Sequence, residues 1–192
     1  MKKVTVLGYG NELRGDQVAG RVVAEAIASR RMPGVRVATT RMLTRGHIPL
    51  IADADMVIFV GTYDADKVEP VRVARVRLGK TASGYVKDPA SLMEMVSQRQ
   101  GHAPEAWSVM VPATHRGLQA PPSPQAEEAI DEAIMHVLDL MPLSALRAGD
   151  SEEIEQSAQR ARGPSMARWL SSVPTAYQWV KRHLHDAHAH HL

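Results

Sequence analysis

A three-layer α/β domain, with a mostly parallel sheet of about five strands and helices on both faces, is the fold this sequence predicts. Three observations point there. Val4-Thr-Val-Leu7 is a strand-like run that breaks at Gly8 and Gly10 and gives way to a helix-like stretch. Met56-Val-Ile-Phe-Val60 is continuously apolar, as a central parallel strand covered on both faces requires. Strand-like and helix-like segments then alternate along the chain, the pattern of strands joined by crossover helices.

The strands are expected at residues 3–7, 35–41, 56–60, 71–78 and 107–111. Val71-Arg-Val-Ala-Arg-Val-Arg-Leu78 alternates apolar with basic residues, which predicts an edge strand with one wet face. Helices are expected at 17–30, 48–52, 88–98 and 124–140. Asp88-Pro89 sets a capping residue directly before a proline suited to the first helical turn. Ser123-Pro124 repeats the device, with Glu127 and Glu128 where the helix dipole favours acids.

After Met141-Pro142 the character changes, so residues 1–144 are assigned to the compact domain and 145–192 to an appendage. The appendage holds a charged stretch, a short amphipathic segment with Trp169, Tyr177 and Trp179, and a histidine-rich end. Those aromatic side chains carry large apolar area and need a surface, which a protein partner, self-association through 165–192 or the face of the domain itself would supply, a partner contact being favoured. On a helix His185, His188 and His191 would share a face and could chelate nickel or zinc. A plain histidine-rich terminus explains the same residues, and both readings stay open.

Composition excludes several function classes. With no cysteine, thiolate catalysis, disulfides and cysteine-held zinc are ruled out, and a cytoplasmic location is expected. A formal net charge of +2 is too small to argue for a nucleic-acid surface. No apolar run is long enough to span a bilayer. The Gly8-x-Gly10 turn lacks the third glycine of a dinucleotide fingerprint, and Asp16 would repel a phosphate. No Gly-x-Ser-x-Gly elbow occurs to support a serine nucleophile.

The order Gly8-Tyr-Gly-Asn-Glu-Leu-Arg-Gly-Asp-Gln-Val-Ala-Gly20 closely resembles the N-terminus of the hydrogenase maturation proteases. Those endopeptidases trim the C-terminus of a nickel–iron hydrogenase large subunit once its nickel is installed. Ala52-Asp-Ala-Asp-Met-Val-Ile-Phe-Val60, the blocks Asp88–Met93 and Gly101–Trp107, and the helix after Ser123-Pro124 extend the resemblance over residues 2–141. It implies the α/β fold above, a peptidase activity, and a large subunit or its precursor as partner.

The resemblance also implies a metal site held by an acid in the first loop, an aspartate after the central strand and a histidine before the next helix. Here those positions read Gln17, Gly61 and Tyr85. A carboxamide is a weak neutral ligand, glycine offers no side chain, and a phenol must lose a proton near pKa ~10. The former metal cleft would then comprise Asn11, Asp16, Gln17, Gly61, Asp64 and Tyr85, with no metal expected in it. Two functions follow. One is a non-catalytic assembly or structural partner of the large subunit. The alternative is an active endopeptidase whose nickel or zinc is held by displaced ligands such as Asp16, Asp64 or Asp66, with His102 or His115 swinging in. His47, His102, His115 and His136 are otherwise expected to be surface or capping residues.

Overall fold

A computed structural model describes residues 2–78, 86 and 88–142. Tyr85, the boundary at 144/145, Trp169, Tyr177, Trp179 and the tail histidines therefore lie outside the described residues. The described strands are β1 (Val4–Tyr9), β2 (Val35–Thr40), β3 (Met56–Asp64), β4 (Arg72–Arg75) and β5 (Glu105–Ala113). The helices are α1 (Ala19–Ser29), α2 (Ile48–Ala52), α3 (Pro89–Gln100) and α4 (Pro124–Leu140).

The strands form one five-stranded sheet in the order β2-β1-β3-β5-β4. β1, β2, β3 and β5 run parallel, and β4 closes one edge antiparallel to β5. Because side chains alternate across a strand, each central strand feeds two cores. Val4, Val6, Ile58, Val60, Val109 and Val111 face α1 and α4. Leu7, Val57, Phe59 and Ala106 face the opposite layer, where Leu92, Met93 and Val96 of α3 and Ile48 and Ile51 of α2 cover them. Val57, Ile58, Phe59 and Val60 have no exposed surface, which is the burial their continuous apolar run requires.

The helix starts follow their sequence signals. Asp88 Oδ1 accepts the Ser91 amide at 2.7 Å while Ser91 Oγ accepts the Asp88 amide at 3.1 Å, a reciprocal cap. At α4 the Ser123 hydroxyl accepts the Ala126 amide at 3.2 Å. Gly101, at φ 79°, ends α3 in the left-handed conformation that glycine adopts without strain.

Three expectations need correction. Gln17 is not in the first α-helix but in a short 3-10 turn, Gly15–Val18, that precedes α1. β3 does not end at Val60; pairing with β5 continues to Asp64↔Ala113, which puts Gly61 inside the strand. The edge strand β4 is shorter than residues 71–78, and all four of its residues are exposed, so both faces are wet rather than one. Among the described residues only β5 pairs with it. Among the described residues no helix is long and apolar enough to cross a membrane.

Candidate functional site

The parallel strands share one carboxyl end, and the loops leaving it converge there. Gly8 pairs with Val60, so Tyr9 and Gly61 emerge side by side from adjacent strands. The β1–α1 loop follows. Asn11 Oδ1 accepts the Leu13 amide at 3.1 Å and turns the chain. Glu12 pairs with Arg21 and ties the loop to α1. Gly10 lies against the Gln17 carbonyl so closely that a side chain there would collide with it. α1 in turn meets the strand ends at Gly20, where a Cβ would sit 2.5 Å from the carbonyls of both Tyr9 and Val60. The first loop and Gly61 thus occupy the same end of the sheet, as the sequence predicts.

Asp16 is fully buried and committed to the scaffold. Its carboxylate accepts five hydrogen bonds: from the amides of Thr114 (2.9 Å), His115 (2.7 Å) and Ser123 (2.7 Å), and from the hydroxyls of Thr114 (3.2 Å) and Ser123 (3.1 Å). A buried carboxylate needs such compensation, and three backbone donors plus two hydroxyls supply it. The Asp16 amide adds a bond to the His115 carbonyl at 2.8 Å. Asp16 therefore locks the first loop to the β5–α4 connection, and its oxygens are not free to bind a metal.

Of the other displaced ligands, His115 meets Asp16 through its backbone, its amide donating to the carboxylate and its carbonyl accepting the Asp16 amide. Asp64, exposed at the end of β3, pairs with Arg116 at 2.8 Å. His47 caps the turn after Thr44, whose amide donates to its Nδ1 at 3.0 Å. His102 contacts the Gln100 carbonyl at 3.3 Å, and His136 sits 3.5 Å from Glu132. Gln17 is half-buried, and its side chain makes no hydrogen bond among the described residues. Among those residues no group of three histidines or acids is placed to hold a metal ion.

What fills the position at Gly61 is the side chain of Tyr9. A Cβ built on Gly61 would lie 2.7 Å from the Tyr9 hydroxyl oxygen and 2.8 Å from Cε2, with Cζ nearer still. The ring packs on the α2/α3 layer, and its hydroxyl points at Met110 Sδ, 3.5 Å away. Burial, with the Asp88 carboxylate adding to it, pushes the Tyr9 hydroxyl up to about 12. At neutral pH the group is a neutral phenol in a largely apolar niche. The donor set does not fit the inferred metal: the central carboxylate is absent, its place is taken by an aromatic ring, and the buried acid of the first loop is saturated.

Tyr9 and Asp88 are the residues of this cleft that sequence reasoning missed. The signal for Tyr9 was present, since an aromatic ring between Gly8 and Gly10 at a strand end needs a space beside it. Glycine at position 61 is the residue that leaves one. Reading it required the pairing of β1 with β3, which sequence spacing alone does not give.

At the rim, the first loop and the β5–α4 loop pair through a bridge between Arg14 and Leu118. The Gln119 amide reinforces it by donating to the Leu13 carbonyl at 2.8 Å. Leu13 (43% exposed) and Leu118 (72% exposed) project from these paired loops into solvent.

No protein-family model matches the chain, and no curated protein matches it in sequence. Solved structures do resemble it. A NiFe hydrogenase maturation protease HycI from Thermococcus kodakarensis KOD1 superposes with a TM-score of 0.59 at 19% identity, covering 72% of this chain and 91% of that one. The hydrogenase maturating endopeptidase HybD from E. coli gives a TM-score of 0.57 at 19% identity, covering 71% and 90%. HybD from Thermococcus kodakarensis gives 0.58 at 15% identity, covering 73% of this chain and 99% of its own. Together with the sheet order and the glycine-rich first loop, these likenesses establish that the chain has the fold of the hydrogenase maturation proteases.

Proposed function

We propose that this protein is a non-catalytic member of the hydrogenase maturation machinery, binding a nickel–iron hydrogenase large subunit or its precursor as an assembly or structural partner. The fold and the sequence resemblance support the context. The packing of Tyr9 into the space above Gly61 carries the loss of catalysis, because a central carboxylate cannot share that space with the ring. The saturated carboxylate of Asp16 removes the acid of the first loop as a substitute. On this reading the protein works in the cytoplasm, needs no metal in the cleft, and keeps the family's loops as a binding surface.

Leu13 and Leu118 are exposed apolar groups on that surface, and exposed leucines on a paired, well-anchored rim suit protein contact better than chemistry. Residues 165–192, with their aromatic side chains, add a second association segment. Affinity purification from the native host tests the proposal. A large subunit should co-purify, its C-terminus should not change on incubation with this protein, and Leu13→Asp with Leu118→Asp should weaken its recovery without lowering the Tm. Time-dependent removal of the precursor C-terminus by the purified protein would overturn the proposal in favour of an active endopeptidase.

A further inference from the structure

The edge strand β4 carries a basic stripe that the function above does not use. Val73 and Arg75 pair directly with Val109 and Trp107 of β5, so they lie on the α1/α4 side of the sheet; Arg77 follows, exposed, two residues beyond the end of the strand. Arg72 is engaged by Glu69 at 2.5 Å and stacks on the Tyr63 ring at 3.7 Å. The charge of Arg75 acts on Glu105, whose hydrogen bonds go to Lys2 and Trp107. No carboxylate pairs with Arg77 among the described residues, and Val73 and Leu78 are 38% and 52% exposed. Edge strands with open amides and carbonyls invite pairing, and a strand this exposed needs a cover.

We propose that the acidic segment Asp150-Ser-Glu-Glu-Ile-Glu155 of this same chain docks along the outer edge of β4, with its carboxylates against Arg75 and Arg77. Three features of the molecule single out this occupant. Four of its six residues are acidic, which complements the most basic of the described strands. α4 starts at the carboxyl end of the sheet, where Ser123 binds Asp16, and runs back, so the chain leaves it at the opposite end. β4 is antiparallel to β5, with the Val76 amide donating to the Ala106 carbonyl at 2.8 Å, so Arg75 and Arg77 lie at that same end.

Extended at about 3.3 Å per residue, the chain from Met141 to Asp150 spans up to roughly 30 Å. Met141 is buried against the α1/α4 core, to which the half-buried Trp107 also belongs, and Arg75 lies directly opposite Trp107 on the neighbouring strand. A short tether holds the acidic segment at high effective concentration beside the stripe, so weak charge contacts suffice to seat it. Docked there, it neutralises the basic edge and blocks strand pairing with other molecules.

The absence of cysteine makes the test direct. A nitroxide attached at Ser151→Cys in the full-length protein should broaden the backbone amide signals of residues 72–78 in NMR spectra. It should leave β2, the far edge of the sheet, unaffected. Intensity at 72–78 should return when Glu152→Lys, Glu153→Lys and Glu155→Lys are added. It should also return on going from about 0.1 M salt, where the Debye length is about 10 Å, to about 1 M, where it is about 3 Å. Mixing spin-labelled unenriched protein with unlabelled isotope-enriched protein should produce no broadening. Unchanged signals at 72–78 in the labelled chain, broadening that survives charge reversal, or broadening in the mixed sample would each overturn the proposal.

Discussion

Tyr9 and Gly61 form one structural unit: the phenol ring of the first occupies the space into which any side chain at the second would project. They leave neighbouring parallel strands one residue beyond the Gly8–Val60 pair, and neither position can change size without the other responding. The unit sits where the resemblance to the maturation proteases calls for a metal-binding carboxylate.

Coupling between the two positions is the first expected consequence. Gly61→Ala forces a Cβ against the ring, which can retreat only by leaving Met110 and the α2/α3 layer, at a cost of about 1–3 kcal/mol. Tyr9→Val opens the niche and loses aromatic contacts, costing about 2 kcal/mol. The double variant should lose less than the sum, by about 1 kcal/mol or more. Urea denaturation of the four proteins measures the cycle, and additive losses would mean the ring does not rest over Gly61 in solution.

Asp16 makes a contrasting prediction, because it acts as scaffold rather than ligand. Asp16→Ala leaves the amides of Thr114, His115 and Ser123 without their acceptor and should destabilise the fold by about 3 kcal/mol or more. Asp64→Ala breaks only an exposed pair with Arg116 and should stay within about 1 kcal/mol of the parent. Denaturant midpoints for both variants distinguish the roles. Equal small effects would show that the hydrogen bonds converging on Asp16 are not formed.

The raised Tyr9 hydroxyl sets a pH dependence whose direction follows from proton binding. The unfolded phenol ionises near pKa ~10, whereas the folded one is pushed up to about 12. The folded state therefore holds the proton more tightly. Its stabilising contribution is complete below pH ~10 and is lost as pH rises from there through the folded value. Between those limits the parent should lose stability more steeply than Tyr9→Phe, measured by urea midpoints at a series of alkaline pH values. Parallel slopes would place Tyr9 in contact with water.

Most of the fold was legible because its signals are local. The apolar run Met56–Val60, the Asp88-Pro89 and Ser123-Pro124 starts and the alternation of elements depend on neighbours in sequence, and α2 and α4 fall at their expected residues. Boundaries failed where a strand partner decides them. β3 runs on to Asp64 because β5 offers backbone groups as far as Ala113, and β4 stops at Arg75 although its alternating pattern continues to Leu78. In the site, Gln17, Gly61 and Asp16 lie at one end of the sheet. The use of Asp16 was not legible, since its donors Thr114, His115 and Ser123 lie about a hundred positions away in the chain. Tyr9 was missed for the same reason: its importance lies in a cross-strand neighbour.

The most direct measurement is metal analysis of the full-length protein with the histidines at 183–191 changed to alanine, purified and then equilibrated with nickel or zinc. The account predicts no near-stoichiometric metal in the cleft, and weak binding at most that Asp16→Ala or Asp64→Ala leaves unchanged. Tight binding of one ion per chain, abolished by Asp16→Ala or Asp64→Ala in a protein that still melts cooperatively, would contradict it and restore a metal-dependent peptidase.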